Sequence, residues 1–578
     1  MLLGYAITAA VLASFLGLIG FAIVGRKELA QLLRERISLK SLLALVVIVS
    51  LFVSFSAIFI PSVEQLYFDE NIYQGIAINI LAHGNALWCQ FGTGYLRACY
   101  VNQVYHDPVG WSVFIAMAFA VFGIGVATSH ALELLTGALA IVGVFLLSSV
   151  LFERKRLAVF STVAFAAMPL LYVWARTQAD IDLPFMMLAI FAFFFFVVFA
   201  KRRSFNTLAM FAFSLALVAY MRIEAMLLVI VFAALLVAFG DSGMREEIKR
   251  NAAEARRVLS ENVKVIMLLI AFILLITPEL YYISMEASSP DYGQPTGQAV
   301  LSLANFDANI KINAEFVLGI FSGMNTVASY PLVFSSTIMV LAVLGTVLFA
   351  FDKRYGNRFG ILAMLWLWFA AYFVFYTAFY AGAATYGVDS RFMLQLMPPL
   401  CLLGALAAFE LGSEAQALLQ RGSEAATNAG AAAFWVVAAG VIVVALLYPF
   451  AALEPVFTLA PNQMPQQSVI LPATTFFYNS YKAVPNDCLV FSFTPDIWYE
   501  VNVSSAQIGY ANGAGGGIGE SIDNYSCKVV DSGYWCVVPP YRNTTCANLA
   551  GRYSKQVLAT EPAGNGYNTS FYKILNYP

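Results

Sequence analysis

Charge is scarce in this chain. Only 11% of its 578 residues are Asp, Glu, Lys or Arg, and only three are His. So little charge cannot coat a water-soluble globule of this length, and that class is excluded. The three histidines, His83, His106 and His130, do not stand at metal-ligand spacing, and none is read as a ligand. There is no heptad pattern and no short internal repeat. The first hydrophobic stretch, 5–24, lacks a basic start and a small-residue cleavage site before Arg26. It is read as a retained helix, and an uncleaved signal anchor fits equally. The formal net charge of −2 says nothing about partners, and no nucleic acid is expected.

What fills the chain is hydrocarbon. The hydrophobic share is 60%, the mean hydropathy is +0.75, and many stretches reach the roughly 20 apolar residues that cross a bilayer. The fold class expected is a polytopic α-helical membrane protein with about twelve transmembrane helices. After 5–24 the spans fall near 41–61, 131–152, 157–175, 183–200, 205–221, 226–240, 265–285, 331–350, 359–380, 392–411 and 431–453. The phenylalanine run Phe193–Phe196 is lipid-facing or packing surface. The 241–264 loop carries charges at helical spacing and is expected to form an amphipathic helix.

Positive charge fixes the orientation. The segments 26–40, 153–156, 201–204, 241–264 and 352–358 hold 5, 3, 3, 6 and 3 Lys/Arg, and Arg421 adds one in the 412–430 loop. Basic loops remain on the cytoplasmic side. Five bases are left for the opposite face: Arg97, Arg176, Arg222, Lys311 and Arg391. This assignment holds only if 109–126 lies along the outer interface, or dips in and returns, instead of crossing. The N-terminus and the C-terminal tail are then both outside.

Two regions are expected, 1–453 as the membrane domain and 454–578 as a small extracytoplasmic α/β domain. The tail carries acceptor sequences for N-glycosylation at Asn502, Asn524, Asn543 and Asn568, and four cysteines, Cys488, Cys527, Cys536 and Cys546. An even cysteine count beside such acceptors points to an oxidising, extracytoplasmic compartment. Cys89 and Cys99 are expected to pair in the first outer loop, and Cys401 to serve packing. Strands are expected at 488–493, 506–510, 534–538, 555–559 and 570–575, with a helix at 495–501. The run 513–517, four glycines and an alanine, is read as a flexible loop.

Ionisable residues near hydrocarbon cost about 2.5–3.5 kcal/mol each at a helix centre and usually line a site. The expected outer face collects Asp69, Glu70, His106, Asp107, Arg176, Asp180, Asp182, Arg222, Glu224, Asp389 and Arg391. A carboxylate there can act as general base. Arginines can neutralise a departing phosphate, and paired carboxylates can hold a divalent cation. The residue set suits a lipid-phosphate-linked donor. Plainer roles also exist: Asp69 as a helix cap, Asp180 and Asp182 as a solvated turn, Arg222 with Glu224 as a local pair, and Arg391 as a snorkelling side chain.

At this point the chain resembles the GT-C membrane glycosyltransferases. Tyr67-Phe68-Asp69-Glu70 followed by Tyr73 is similar to their first-loop acidic motif. His106-Asp107-Pro108 is similar to the His-Pro-Pro that opens the next helix in the protein mannosyltransferase and aminoarabinose transferase branches, with Asp107 and Val109 departing from it. Arg176 with Asp180-Ile181-Asp182 is similar to the second acidic loop. Asp389-Ser390-Arg391-Phe392 before Pro398-Pro399 is similar to the late arginine signature. The tail has no WWDYG-type motif. The similarity covers roughly 41–410.

The resemblance implies transfer of a sugar from a polyprenyl-phosphate donor, with inversion, on the extracytoplasmic face of the cell membrane. It implies Asp69 and Glu70 as catalytic candidates, Asp69 leading as general base. Asp107, Asp180, Asp182 and Glu224 would be acidic partners or metal ligands; Arg391, Arg222 and Arg176 would contact donor phosphate; His106 and Tyr73 are further candidates. A divalent metal (Mg, Mn or Zn) is an open requirement, with no other cofactor expected. The acceptor would be protein, a lipid-linked glycan or an envelope polymer. Two other classes compete: a transporter or flippase of an anionic lipid-linked sugar, and a non-catalytic assembly protein, which leaves the acidic loops unexplained.

Overall fold

The computed structural model describes residues 2–60, 68–89, 91–94, 97–105, 107–176, 179–239, 263–287, 301–318, 329–351, 358–380, 382, 389–420, 475–508, 525–533, 553–564 and 567–576. The expected span 431–453, the 241–262 part of the expected cytoplasmic helix, the 513–517 run, the 534–538 strand, the boundary at 453/454, His106, Cys536, Cys546, Asn524 and Asn543 lie outside these residues.

The helices in chain order are α1 Leu2–Val24, α2 Arg26–Arg36, α3 Leu39–Phe59, α4 Phe68–His83, α5 Gly110–Phe122, α6 Val126–Phe152, α7 Lys155–Ala166, α8 Pro169–Arg176, α9 Asp182–Arg202, α10 Phe205–Ala219, α11 Met226–Phe239, α12 Val263–Ala287, α13 Leu303–Leu318, α14 Ser329–Phe351, α15 Arg358–Ala378, α16 Met397–Gln420 and α17 Pro495–Glu500. Among the described residues seven helices are long and apolar enough to cross a bilayer, or eight if the bent pair α7 and α8 counts as one span. Pro169 opens the second half of that pair, which turns by 66°, because proline cannot donate to the preceding turn. α10 and α11 are 15 and 14 residues long, and at about 1.5 Å per residue they fall short of the roughly 30 Å hydrocarbon core.

α5, the segment expected not to cross, is a helix of only 13 residues. It packs on α4, and a turn through Gly123 and Gly125, at φ of 93° and 158°, leads into α6. The bundle centre is formed by α6, α9 and α16, while α1, α3 and α12 sit at its rim with Leu43, Val47, Ile58, Met267 and Leu274 exposed. The phenylalanine run of α9 is core: Phe193 stacks on Trp368 with ring centroids 4.0 Å apart.

The basic loops gather at one end of the bundle. Arg36 and Lys201 both reach Glu153, and Arg154 approaches Glu410 at 3.5 Å. Ser38 opens α3 with a reciprocal capping box to Ser41 at this end. α9 runs from Asp182 at its N-terminus to Lys201 and Arg202 at its C-terminus, and α6 from the turn whose His130 contacts Glu70 to the 153–156 loop, so the bundle separates the two kinds of loop.

α13 was not expected from the sequence. Its Asn309 donates to the carbonyls of Thr377 and Phe379, at 3.2 and 2.8 Å, and Asn313 to that of Gly382 at 3.0 Å. These bonds tie down the end of α15.

The C-terminal part forms a six-stranded sheet in the order β1-β3-β2-β4-β6-β5. Its strands are β1 Gly92–Thr93, β2 Cys488–Ser492, β3 Ser505–Gln507, β4 Cys527–Asp531, β5 Lys555–Gly564 and β6 Tyr567–Ile574. β2 pairs in parallel with both β3 and β4, and every residue of β2 is buried, as a central parallel strand covered on both faces requires. Cys488 faces Cys527 across that pairing and is bonded to it; Cys89 is bonded to Cys99. The edge strand β1 comes from the first loop of the membrane domain, not from the tail. Gly92 permits this: its φ is +100°, and a Cβ there would stand 2.1 Å from the Ser505 carbonyl oxygen.

Candidate active site

Four segments converge at the N-terminal ends of α4, α6 and α9. Asp69 and Glu70 occupy the first turn of α4, and Asp182 begins α9, where a helix N-terminus favours negative charge. Arg222 is held extended just before the turn Ile223–Ala225, and Arg391 sits on the 3-10 helix Asp389–Leu396 that leads into α16. The first and last of these segments are 322 positions apart in sequence; only the helix bundle joins them.

Arg391 is the centre. Its Nη1 donates to Asp69 Oδ2 at 3.0 Å and to Asp180 Oδ2 at 2.9 Å, and its Nε lies 3.7 Å from Asp182 Oδ2. Arg222 forms the second half: Nη1 is 3.0 Å from Asp182 Oδ1, and Nε donates to Glu224 Oε1 at 2.6 Å. Both guanidiniums lie against the Phe392 ring, at 5.1 and 5.2 Å from its centroid, a cation–π arrangement that favours charge held close to an apolar wall. Tyr376 donates to Glu224 Oε1 at 2.9 Å. Tyr105 donates to Asp69 Oδ1 at 2.9 Å, and its own carbonyl accepts from the Tyr282 hydroxyl at 2.7 Å. Asp69 thus presents one oxygen to an arginine and the other to a phenol.

Asp180 and Asp182 are fully buried, whereas the Asp69 and Arg391 side chains remain 20% and 15% exposed. That pair is the open edge of the array. Burial pushes the Asp180 carboxyl up, with Arg391 pulling it back and Asp69 adding to the rise. Burial alone would lower Arg222, but Asp182 and Glu224 outweigh it and hold the guanidinium protonated above its ordinary value. Burial, then Asp69, holds the Tyr105 hydroxyl neutral and well above the ordinary phenol value. Asp107 is half-buried nearby and contributes to the field at Arg222 and Tyr73. Tyr73 is fully buried, edge-on to Tyr105.

Glu70 is placed elsewhere. It points into the protein, contacts His130 Nε2, and its Oε1 accepts from Gln74 Nε2 and from the Ala179 amide, both at 3.2 Å. Sequence reasoning set His130 aside because metal-ligand spacing was the only signal sought. Glu133, one turn further along α6, is also buried. Tyr105 and Tyr376 were missed too, because aromatic residues are so frequent in this chain that neither stands out; Phe392 had been marked only as part of the late arginine motif.

Arg176 makes no ion pair among the described residues, and its buried Nε has no hydrogen-bond partner. Lys311 is exposed and lies near Glu315, and Arg97 contacts the C-terminal part, so neither joins the array. The side chain of Asp389 lies outside the description. One trio of candidate metal-ligand atoms converges among the described residues, Asp487 with Cys488 and Cys527. Those cysteines are bonded to each other and the group is remote from the array, so it is not a metal centre.

Comparison with known proteins agrees with this architecture. Residues 106–282 match the family described as dolichyl-phosphate-mannose-protein mannosyltransferase. The crystal structure of ArnT from Cupriavidus metallidurans in the apo state is similar at a TM-score of 0.57 and 12% identity, covering 92% of this chain and 97% of that one. The same enzyme bound to undecaprenyl phosphate is similar at 0.53 and 14% identity with the same coverage. No curated protein matches by sequence. The chain has the GT-C fold of membrane glycosyltransferases, with a small C-terminal sheet domain appended.

Proposed function

We propose that this protein transfers a sugar from a polyprenyl-phosphate donor to a nucleophilic acceptor at the extracytoplasmic face of the membrane. The observation that carries the reading is Arg391, mostly buried between Asp69 and Asp180 but with its side chain still 15% exposed. A guanidinium is suited to phosphate oxygens, and here it stands beside a carboxylate able to take a proton. A structural relative of the same fold binds undecaprenyl phosphate, and the exposed apolar helices at the rim offer a path for a lipid tail.

In this reading Asp69 is the general base. It removes the acceptor proton as the acceptor attacks the anomeric carbon from the face opposite the phosphate, which inverts the configuration. The bond to the phosphate oxygen breaks, and Arg391, backed by Arg222, stabilises the charge that develops there. Tyr105 orients Asp69. The array holds four carboxylates, Asp69, Asp180, Asp182 and Glu224, against two guanidiniums. That excess of negative charge fits a divalent cation brought to Asp180 and Asp182, which would supply further neutralisation of the leaving phosphate.

The test is transfer from radiolabelled polyprenyl-phosphate sugars by the purified protein. Asp69→Asn should lower turnover by about 10²–10⁴-fold while the variant elutes and melts as the wild type does. Unchanged turnover in that variant would remove Asp69 as the base. A parallel arm with chelator decides the cation: loss of activity restored by Mg, Mn or Zn requires one, and full activity dispenses with it.

A further inference from the structure

Glu70 adjoins Asp69 in sequence but does a different job in the fold. Its Oε1 gathers three donors from three elements. They are Gln74 of its own helix, His130 of α6, and the amide of Ala179, the residue before Asp180. Glu70 therefore links α4, which carries Asp69, to the loop that carries Asp180, the two carboxylates that Arg391 bridges. Gln74 also donates to Ser129 Oγ at 2.9 Å, a second tie to the first turn of α6.

That first turn is itself held from outside the membrane domain. The residue before α6 is Gly125, which has no side chain to cap it. The missing acceptor comes from the C-terminal domain. The Glu500 carboxylate, at the end of α17, accepts from the Val126 amide at 3.2 Å and from the Tyr478 hydroxyl at 2.8 Å. A carboxylate at a helix N-terminus satisfies an orphan amide and complements the helix dipole. α17 is pressed onto α4 as well, since a Cβ on Gly75 would meet Asp496 Oδ1 at 2.5 Å. Arg97 Nη2 reaches the Glu500 carbonyl at 3.5 Å, and Tyr499 donates to the Arg97 carbonyl at 2.9 Å.

We propose that Glu70 and His130 are positioning residues, not the proton acceptor, and that Glu500 of the C-terminal domain sets the helix end on which they depend. The C-terminal domain is in this sense part of the catalytic unit: it holds α6, α6 holds Glu70, and Glu70 fixes the spacing of Asp69 and Asp180. Only the turnover measurement below rests on the sugar-transfer reading.

The experiment uses the full-length protein in lipid nanodiscs. Amide hydrogen exchange is followed at 126–130, at 179–182 and, as a control, at 400–407. Glu500→Ala should raise exchange about tenfold or more at 126–130 and at Ala179, consistent with losing a charge-assisted hydrogen bond, and leave 400–407 unmoved. Glu500→Gln keeps an acceptor oxygen and should stay close to wild type. Glu70→Gln likewise keeps the acceptor for Ala179, so exchange at 179–182 should stay close to wild type, and the turnover it retains should keep the wild-type pH profile. Glu70→Gln as inactive as Asp69→Asn would overturn the proposal, and so would Ala179 exchange that Glu500→Ala does not move. Absence of transfer by the wild-type protein would instead count against the sugar-transfer reading, and the exchange arm would still decide the relay.

Discussion

Arg391 carries more of the site than any other side chain, and the reason is its shape. One guanidinium meets Asp69, Asp180 and Asp182, which a lysine ammonium cannot do in the same fork geometry. On the proposed sugar-transfer reading, Arg391→Lys should therefore weaken binding of a polyprenyl phosphate by at least about tenfold, a loss of one or two charge-assisted hydrogen bonds, measurable by titration in nanodiscs. Arg391→Ala leaves buried carboxylates unneutralised and should also destabilise the protein by about 3–5 kcal/mol; an unchanged melting temperature would contradict the buried array. At the domain contact, burial pushes the Asp496 carboxyl up to about 7. A raised carboxyl binds its proton more tightly in the docked state, so its effect on stability is most favourable at low pH. Stability is lost as pH rises from about 4, the unfolded value, through the folded value near 7. Asp496→Asn should flatten that part of the profile of melting temperature against pH. An equally steep profile in the variant would show that another group is responsible.

At the scale of elements, local rules explain where helices begin and end. Ser38 and Ser204 cap α3 and α10 through the amides of Ser41 and Thr207, and such caps are legible in sequence. The basic loops fit one side only if 109–126 does not cross, and the 13 residues of α5 are compatible with that expectation. α13 was not legible, since its asparagines hide the helical period and its role is to hold carbonyls at the end of α15. β1 was illegible for a different reason: two residues carry no periodicity, and the partner strand lies more than 400 positions away. Its dependence on Gly92 is testable. Gly92→Val meets both a positive φ and the Ser505 carbonyl. It should destabilise the docked loop by about 1–3 kcal/mol, seen as faster proteolysis within 89–105; wild-type resistance would show that β1 tolerates a side chain.

The whole molecule is an insulator between two polar ends. The bases of α2, α9 and the 153–156 loop meet around Glu153 at one end, and the array around Arg391 occupies the other. Positive charge retained in the cytoplasm would place the Glu153 end inside and the Arg391 end outside, an orientation that labelling tests. A cysteine at Asn502, exposed in a turn of the C-terminal domain, should react with an impermeant maleimide added outside intact cells. One at Lys155 should react only after permeabilisation. Labelling of both from one side would overturn the topology. Asn502 and Asn568, two of the expected glycan acceptors, are both exposed, while Thr569 beside Asn568 is buried.

The sequence by itself determined the class of molecule. Scarce charge and long apolar runs leave a membrane bundle as the only solution, because backbone polar groups in lipid must be satisfied within helices. The same scarcity marked a wider set, with Glu70, His106, Asp107, Arg176 and Asp389 beside Asp69, Asp180, Asp182, Arg222, Glu224 and Arg391, since a charge near hydrocarbon must be compensated; the structure joins the last six in one array. What only the tertiary structure decided was who compensates whom. Adjacent residues on a helix point in different directions, so Asp69 turns to Arg391 while Glu70 turns to His130. Pairings across hundreds of residues, and the first loop's strand in the C-terminal sheet, depend on how the helices pack. No local spacing records that.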